Sequence, residues 1–157
     1  MDTTSLWPQF KASEKRTPQS ILKEQAIALE KATGGILKGE VYTGVRTSYP
    51  VDAVNLYIHP TPKKINVDAD KFPETINNRN LTTAFYIKSP GLSNYRFELL
   101  NLEHPLKIYP FMLYDCVNGK IIEIKTEEAF IKCLKELFSS QEVANVITSL
   151  MEQSNSL

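Results

Sequence analysis

Residues 94–125 (NYRFELLNLEHPLKIYPFMLYDCVNGKIIEIK) form the longest patterned stretch of the chain, alternating apolar and polar positions at the two-residue period of β-strands. The pattern predicts three successive strands. In the first, Tyr95, Phe97 and Leu99 oppose Arg96 and Glu98, and the Leu99-Leu100 step then breaks the alternation, which predicts a bulge. Asn118-Gly119 between two apolar runs predicts a two-residue type I′ hairpin, because both residues tolerate positive φ. Counting outward pairs Cys116 with Ile121, Asp115 with Ile122 and Leu113 with Ile124. Leu113, Asp115, Val117, Ile122 and Ile124 then share one face. The opposite face carries Met112, Tyr114, Cys116, Ile121 and Glu123, and a strand this apolar on both sides is expected inside a sheet. Pro110 cannot donate to a ladder, so it predicts a bulge, an edge position or a strand start.

Ahead of this meander, residues 1–16 read as a polar arm containing Trp7-Pro8 and Phe10, aromatics expected to pack on the domain surface or on a second subunit. Thr17 as N-cap and Pro18 at the first helical position open a helix. Its stripe is Ile21, Leu22, Ala26, Leu29 and Ala32, broadened by Ile27 and Ala28, and Gly34-Gly35 stops it. Residues 36–48 follow as a strand in which Gly39 and Gly44 predict bends or bulges. Residues 53–59 (AVNLYIH) read as its antiparallel partner. Residues 60–80 hold three prolines and four asparagines, and predict a long loop. A further strand over 81–88 leads through Ser89-Pro90-Gly91 into the meander.

Beyond Ile124 the period changes from two to that of a helix. Thr126 caps a helix whose first turn holds Glu127 and Glu128 and whose apolar face is Phe130, Ile131, Leu134, Leu137 and Phe138, with Cys133 adjoining. Ser139 and Glu142 form a capping-box pattern for a last helix striped by Val143, Val146, Ile147, Leu150 and Met151. Residues 154–157 are a polar tail. A helix, an uninterrupted series of about six strands and two further helices predict a single α+β domain over 17–153 with an antiparallel sheet. One sheet face is expected to be covered by the first helix and at least one C-terminal helix.

Composition narrows the function classes. At 157 residues the chain is long enough to bury a core, and 42% apolar with 23% charged residues is the balance of a globular protein. Eighteen basic residues offset eighteen acidic ones, which argues against broad attraction to nucleic acid or an anionic membrane. No segment reaches the ~20 apolar residues of a membrane span, and the start has no secretory pattern. Cys116 and Cys133 fit neither a disulfide framework nor a metal knuckle, so both are expected reduced and buried, in a cytoplasmic protein.

Candidate chemistry is sparse. His59 and His104, with Asp52, Glu103 and Asp115 as carboxylates, are the residues a small hydrolase would use, but each histidine precedes a proline at a strand end, where a solvated side chain is expected. Asp115 falls on an apolar face, where a carboxylate needs a partner, and Arg96 on the neighbouring strand is the candidate. Cys116 reads as a buried, inert mid-strand thiol. Asp68 and Asp70 lack the glycine and glutamate of a calcium loop. No motif implies a metal or cofactor. Seven tyrosines lie mostly on or beside strands, interleaved with Arg46, Arg79, Arg96 and Lys88. Tyr57, Tyr86, Tyr95 and Arg96 are the candidate interaction surface. The sequence therefore points to a non-catalytic interaction module with a protein partner or a second copy of itself. The alternatives are the hydrolase and, behind it, a nucleic-acid-binding module.

Overall fold

The structure is a computed structural model that describes residues 5–12, 16–45, 81–105 and 108–155. Helix α1 (Pro18–Ala32) leads into strands β1 (Lys38–Val45), β2 (Leu81–Ser89), β3 (Tyr95–His104), β4 (Phe111–Asp115) and β5 (Lys120–Ile124), followed by α2 (Glu127–Phe138) and α3 (Gln141–Asn155). All strand neighbours are antiparallel and the spatial order is the chain order, β1-β2-β3-β4-β5. The α+β meander is thus as the sequence predicts, with five strands among the described residues. The strand expected over 53–59, the loop over 60–80 and the residues His59, Tyr57, Asp52, Tyr49, Arg46 and Arg79 lie outside them.

Local chemistry sets the helix ends. Thr17 Oγ1 accepts the Ser20 N–H at 3.1 Å and Pro18 occupies the first turn, where its missing N–H costs nothing. Thr33 closes the helix: its hydroxyl donates to the Leu29 carbonyl at 3.0 Å and accepts the Leu37 N–H at 3.1 Å. Thr126 Oγ1 caps α2 through the Ala129 N–H at 3.1 Å. The cap of α3 is Ser140 rather than Ser139: Ser140 Oγ accepts the Val143 N–H at 3.3 Å, while Ser139 ends α2. With only two residues between the helices, both serines are used, one for each end.

Strand register puts Val41, Phe85, Ile87, Leu100, Leu102, Leu113 and Ile124 on one face, and all three helices pack against it. Ile21, Leu22 and Ala26 come from α1, Phe130, Leu134 and Leu137 from α2, Val143 and Leu150 from α3. Ile27 is 59% exposed and Ala28 is exposed, so the buried stripe of α1 is narrower than its apolar sequence. The arm is not pinned to the domain: Leu6, Trp7 and Phe10 are 94%, 77% and 76% exposed.

The expected bulge is present. Phe85 pairs with Leu100 and Tyr86 with Glu98, leaving Leu99 as the extra residue, so Leu99 and Leu100 are both buried. Pro110 immediately precedes β4, a strand start. The β4–β5 hairpin differs from expectation. Asp115 pairs with Lys120 and Leu113 with Ile122, two residues out of the predicted register, with a four-residue loop between the strands. Only Gly119 takes positive φ there (+70°), whereas a type I′ turn needs two such residues. The wider loop is favoured by Asp115, whose carboxylate accepts the N–H groups of Val117 (2.9 Å) and Asn118 (3.0 Å) and the Asn118 side-chain amide (2.9 Å). A shift of two leaves each strand residue on its predicted face, because the side-chain period is two.

Candidate functional site

On the face of the sheet turned away from the helices, register gathers Lys38, Glu40 and Tyr42 of β1, Tyr86 and Lys88 of β2, and Arg96 and Glu98 of β3. Glu40 is the centre of the group. Its carboxylate accepts the Tyr42 hydroxyl at 2.7 Å and pairs with Lys88 Nζ at 3.2 Å and Arg96 Nη2 at 3.1 Å. Arg96 reaches across β2 to do this, donates a second bond to the Tyr42 hydroxyl at 2.8 Å, and lays its guanidinium over the Tyr42 ring at 5.2 Å. Tyr42 in turn meets Tyr86 edge to face, with centroids 5.8 Å apart. Tyr42 remains 47% exposed.

The charges follow this geometry. The Tyr42 hydroxyl, and then Lys88 and Arg96, hold the Glu40 carboxyl below the usual glutamate range against a smaller opposing push from burial. The same bond to Glu40 raises the Tyr42 phenol, and burial followed by the Glu98 charge raises that of Tyr86. Tyr42 and Tyr86 therefore stay neutral hydroxyls at physiological pH. A depressed carboxyl contributes stability that is complete above its unfolded value and is lost as pH falls through the folded one. Glu40→Gln should therefore melt slightly below the wild type at neutral pH, a difference within about 1 kcal/mol for so exposed a network. The gap should close as acid protonates Glu40, which paired thermal melts across the acidic range would show.

The predicted site residues separate. Tyr86 and Arg96 join the Glu40 group. Tyr95 faces the helix side of the sheet instead, beside Leu92, Phe97 and Val146, because position 95 pairs with Ser89 on that face. Asp115 has no need of Arg96, since its own turn supplies three donors. His104 is 2% exposed, not solvated. The last residue of β3, it points into the core, with its ring edge toward Phe111 and Nε2 3.5 Å from Gln19 Nε2 and from Thr83 Oγ1. Nδ1 lies 3.2 Å from the Pro105 carbonyl.

Glu103, the next residue back, projects to the opposite face of the sheet from His104. Asp115 lies opposite Leu100, four residues along the strand from His104 and so roughly 13 Å away at strand rise. His104, Glu103 and Asp115 thus do not converge. Cys116 is exposed in the hairpin loop, not buried mid-strand, and Cys133 is half-buried; desolvation first, then Glu98 for one and Glu136 for the other, raises both thiols. A raised thiol opposes the thiolate that nucleophilic chemistry requires.

Among the described residues no helix is long and apolar enough to cross a membrane. Among the described residues the sheet face mixes Lys38, Lys88 and Arg96 with Glu40, Glu98, Glu103 and Glu123, a balance without an excess of positive charge for a phosphate backbone. What the group offers is two aromatic rings, neutral hydroxyls and a guanidinium held in a fixed plane. Glu40, its organiser, was not singled out by sequence. The two-residue spacing of Glu40 and Tyr42 puts them on one face, but Lys88 and Arg96, brought beside them by β2 and β3, lie more than 40 positions away. No protein-family model, no curated protein and no solved structure matches the chain.

Proposed function

We propose that the domain is a non-catalytic protein-interaction module whose contact surface is the sheet face bearing Tyr42, Tyr86 and Arg96. One observation carries this reading: Arg96 is already fixed, by Glu40 and by the Tyr42 hydroxyl and ring, on a face that no helix of the described residues covers. Tyrosine and arginine are the residue types that dominate binding energy at interfaces. A side chain ordered before binding loses less entropy on contact than a free one. Two unpaired thiols accord with a reducing, cytoplasmic setting.

The test is quantitative affinity capture of the tagged chain from its own cells, comparing wild type with Tyr86→Ala and Arg96→Ala. A stoichiometric partner of the wild type should be depleted about tenfold or more by each variant, the effect of losing an interface anchor. Each variant should melt within about 1 kcal/mol of the wild type, because the positions are exposed or half-exposed. Undiminished capture by both variants would remove the sheet face from the interface.

A further inference from the structure

Among the described residues, the charges on the helix-free sheet face nearly balance, but they are not evenly spread. Register sets Lys38, Lys88 and Arg96 directly side by side on β1, β2 and β3, a cationic row at one end of the face. At the other end it sets Glu103, Met112 and Glu123 side by side on β3, β4 and β5. Each row crosses three strands, roughly 10 Å at sheet spacing, and the two rows lie roughly 20 Å apart along β3. Like charges directly opposite one another destabilise a sheet. Glu40 offsets part of that in the first row, through Lys88 at 3.2 Å and Arg96 at 3.1 Å. Lys38, exposed at the end of the row, has no carboxylate partner among the described residues. In the second row Glu103 accepts the Tyr114 hydroxyl at 3.3 Å, and Glu123 is exposed.

We infer that a second copy of the chain docks face to face on this sheet, cationic row against acidic row. The operation is a two-fold axis lying between the two faces, perpendicular to the line that joins the rows. It lays each row of one copy over the opposite row of the other and preserves order across the strands. Lys38 then faces Glu103 of the second copy, Arg96 faces Glu123 of the second copy, and Lys88 lies over its Met112. The two rows have equal width, so strand register alone makes the match. Stacked sheets lie ~10 Å apart, a gap that a lysine or arginine and a glutamate span from opposite sides. Any other partner would need both rows in matching order; a copy carries them already, as a two-fold contact requires. This inference deepens the sheet-face reading and rests on it, since Tyr42, Tyr86 and Arg96 lie in the same contact.

The experiment is sedimentation of the full chain through a concentration series at low and high salt. Concentrated protein at low salt should be dimeric. Raising ionic strength from about 0.01 M to about 1 M shortens the screening length from ~30 Å to ~3 Å and should weaken the dimer tenfold or more. Lys38→Glu, Glu103→Lys and Glu123→Lys should each weaken it by about tenfold or more, because each sets like charges against one another. An equimolar mixture of Lys38→Glu with Glu103→Lys should restore dimerisation, since opposite charges then meet at every position of both rows. Should Glu103→Lys fail to fold, Lys38→Glu and Glu123→Lys still test one row each.

Three results would overturn the inference. The first is a monomer at every concentration in low salt. The second is a dimer indifferent to salt or to the charge reversals, which would lie elsewhere on the chain. The third is a mixture of folded Lys38→Glu and Glu103→Lys that dimerises no better than either alone, so that the two rows do not meet. The sheet-face reading fails separately. A monomeric chain whose capture of a different protein is depleted by Tyr86→Ala and Arg96→Ala would end the second copy and keep the face.

Discussion

Phe111→Ala is expected to lower the unfolding free energy by about 3–5 kcal/mol, the range for emptying a large aromatic from a core. Phe111 is 2% exposed at the start of β4, and its ring is where the sheet meets α2. Phe130 of α2 stands edge-on to it at 5.1 Å, Tyr109 lies tilted at 5.4 Å and the His104 ring at 6.3 Å. Those partners come from three separate backbone segments, so they cannot all close on the cavity at once. Denaturant unfolding would read the loss as a lower midpoint at an unchanged slope. A loss of less than about 1 kcal/mol would mean that α2 does not rest on this ring.

The second large effect comes from adding a single methyl group. A Cβ on Gly39 would lie 2.6 Å from both the Cα and Cβ of Ala26 and 3.1 Å from the Phe85 ring. Gly39→Ala should therefore push α1 off β1 and cost about 1–3 kcal/mol or more, as overpacking does. The double variant Ala26→Gly with Gly39→Ala separates side-chain from backbone crowding. It should recover only part of the loss, since the Ala26 Cα remains in the way. A double-mutant cycle of thermal melts measures that coupling. Full recovery would show that the methyl of Ala26, not the helix backbone, sets the spacing.

Gly39 also marks the boundary of what the sequence discloses. Read along the chain, a glycine in a strand suggests a bend or bulge; its actual role is to admit a helix 13 positions earlier, a relation only packing creates. Features settled within a few residues were legible: the Thr17-Pro18 start, the Thr126 cap, the stripes of α2 and α3, and the Leu99-Leu100 bulge. The hairpin register was misread because Asp115 competes with the Asn-Gly preference by capping a wider loop. Likewise, His104 looked like a solvated strand end until Gln19 and Thr83, 85 and 21 positions away, closed over it. The Glu40 group depends on the pairing of β1 with β2, whose register no local pattern encodes.

The bulge at Leu99 makes β3 unevenly tolerant of changes in length. Between Tyr95 and His104, losing one residue would carry the rest of the strand to the wrong side of the sheet, exchanging core leucines for glutamates and asparagine. At the Leu99-Leu100 step alone, losing either leucine would leave Glu98 outward and the remaining leucine inward, restoring plain alternation. What Leu99 adds is a second buried leucine and a carbonyl that accepts the Cys116 N–H at 3.0 Å. The strand can therefore change length by one residue at this site without re-sorting its faces.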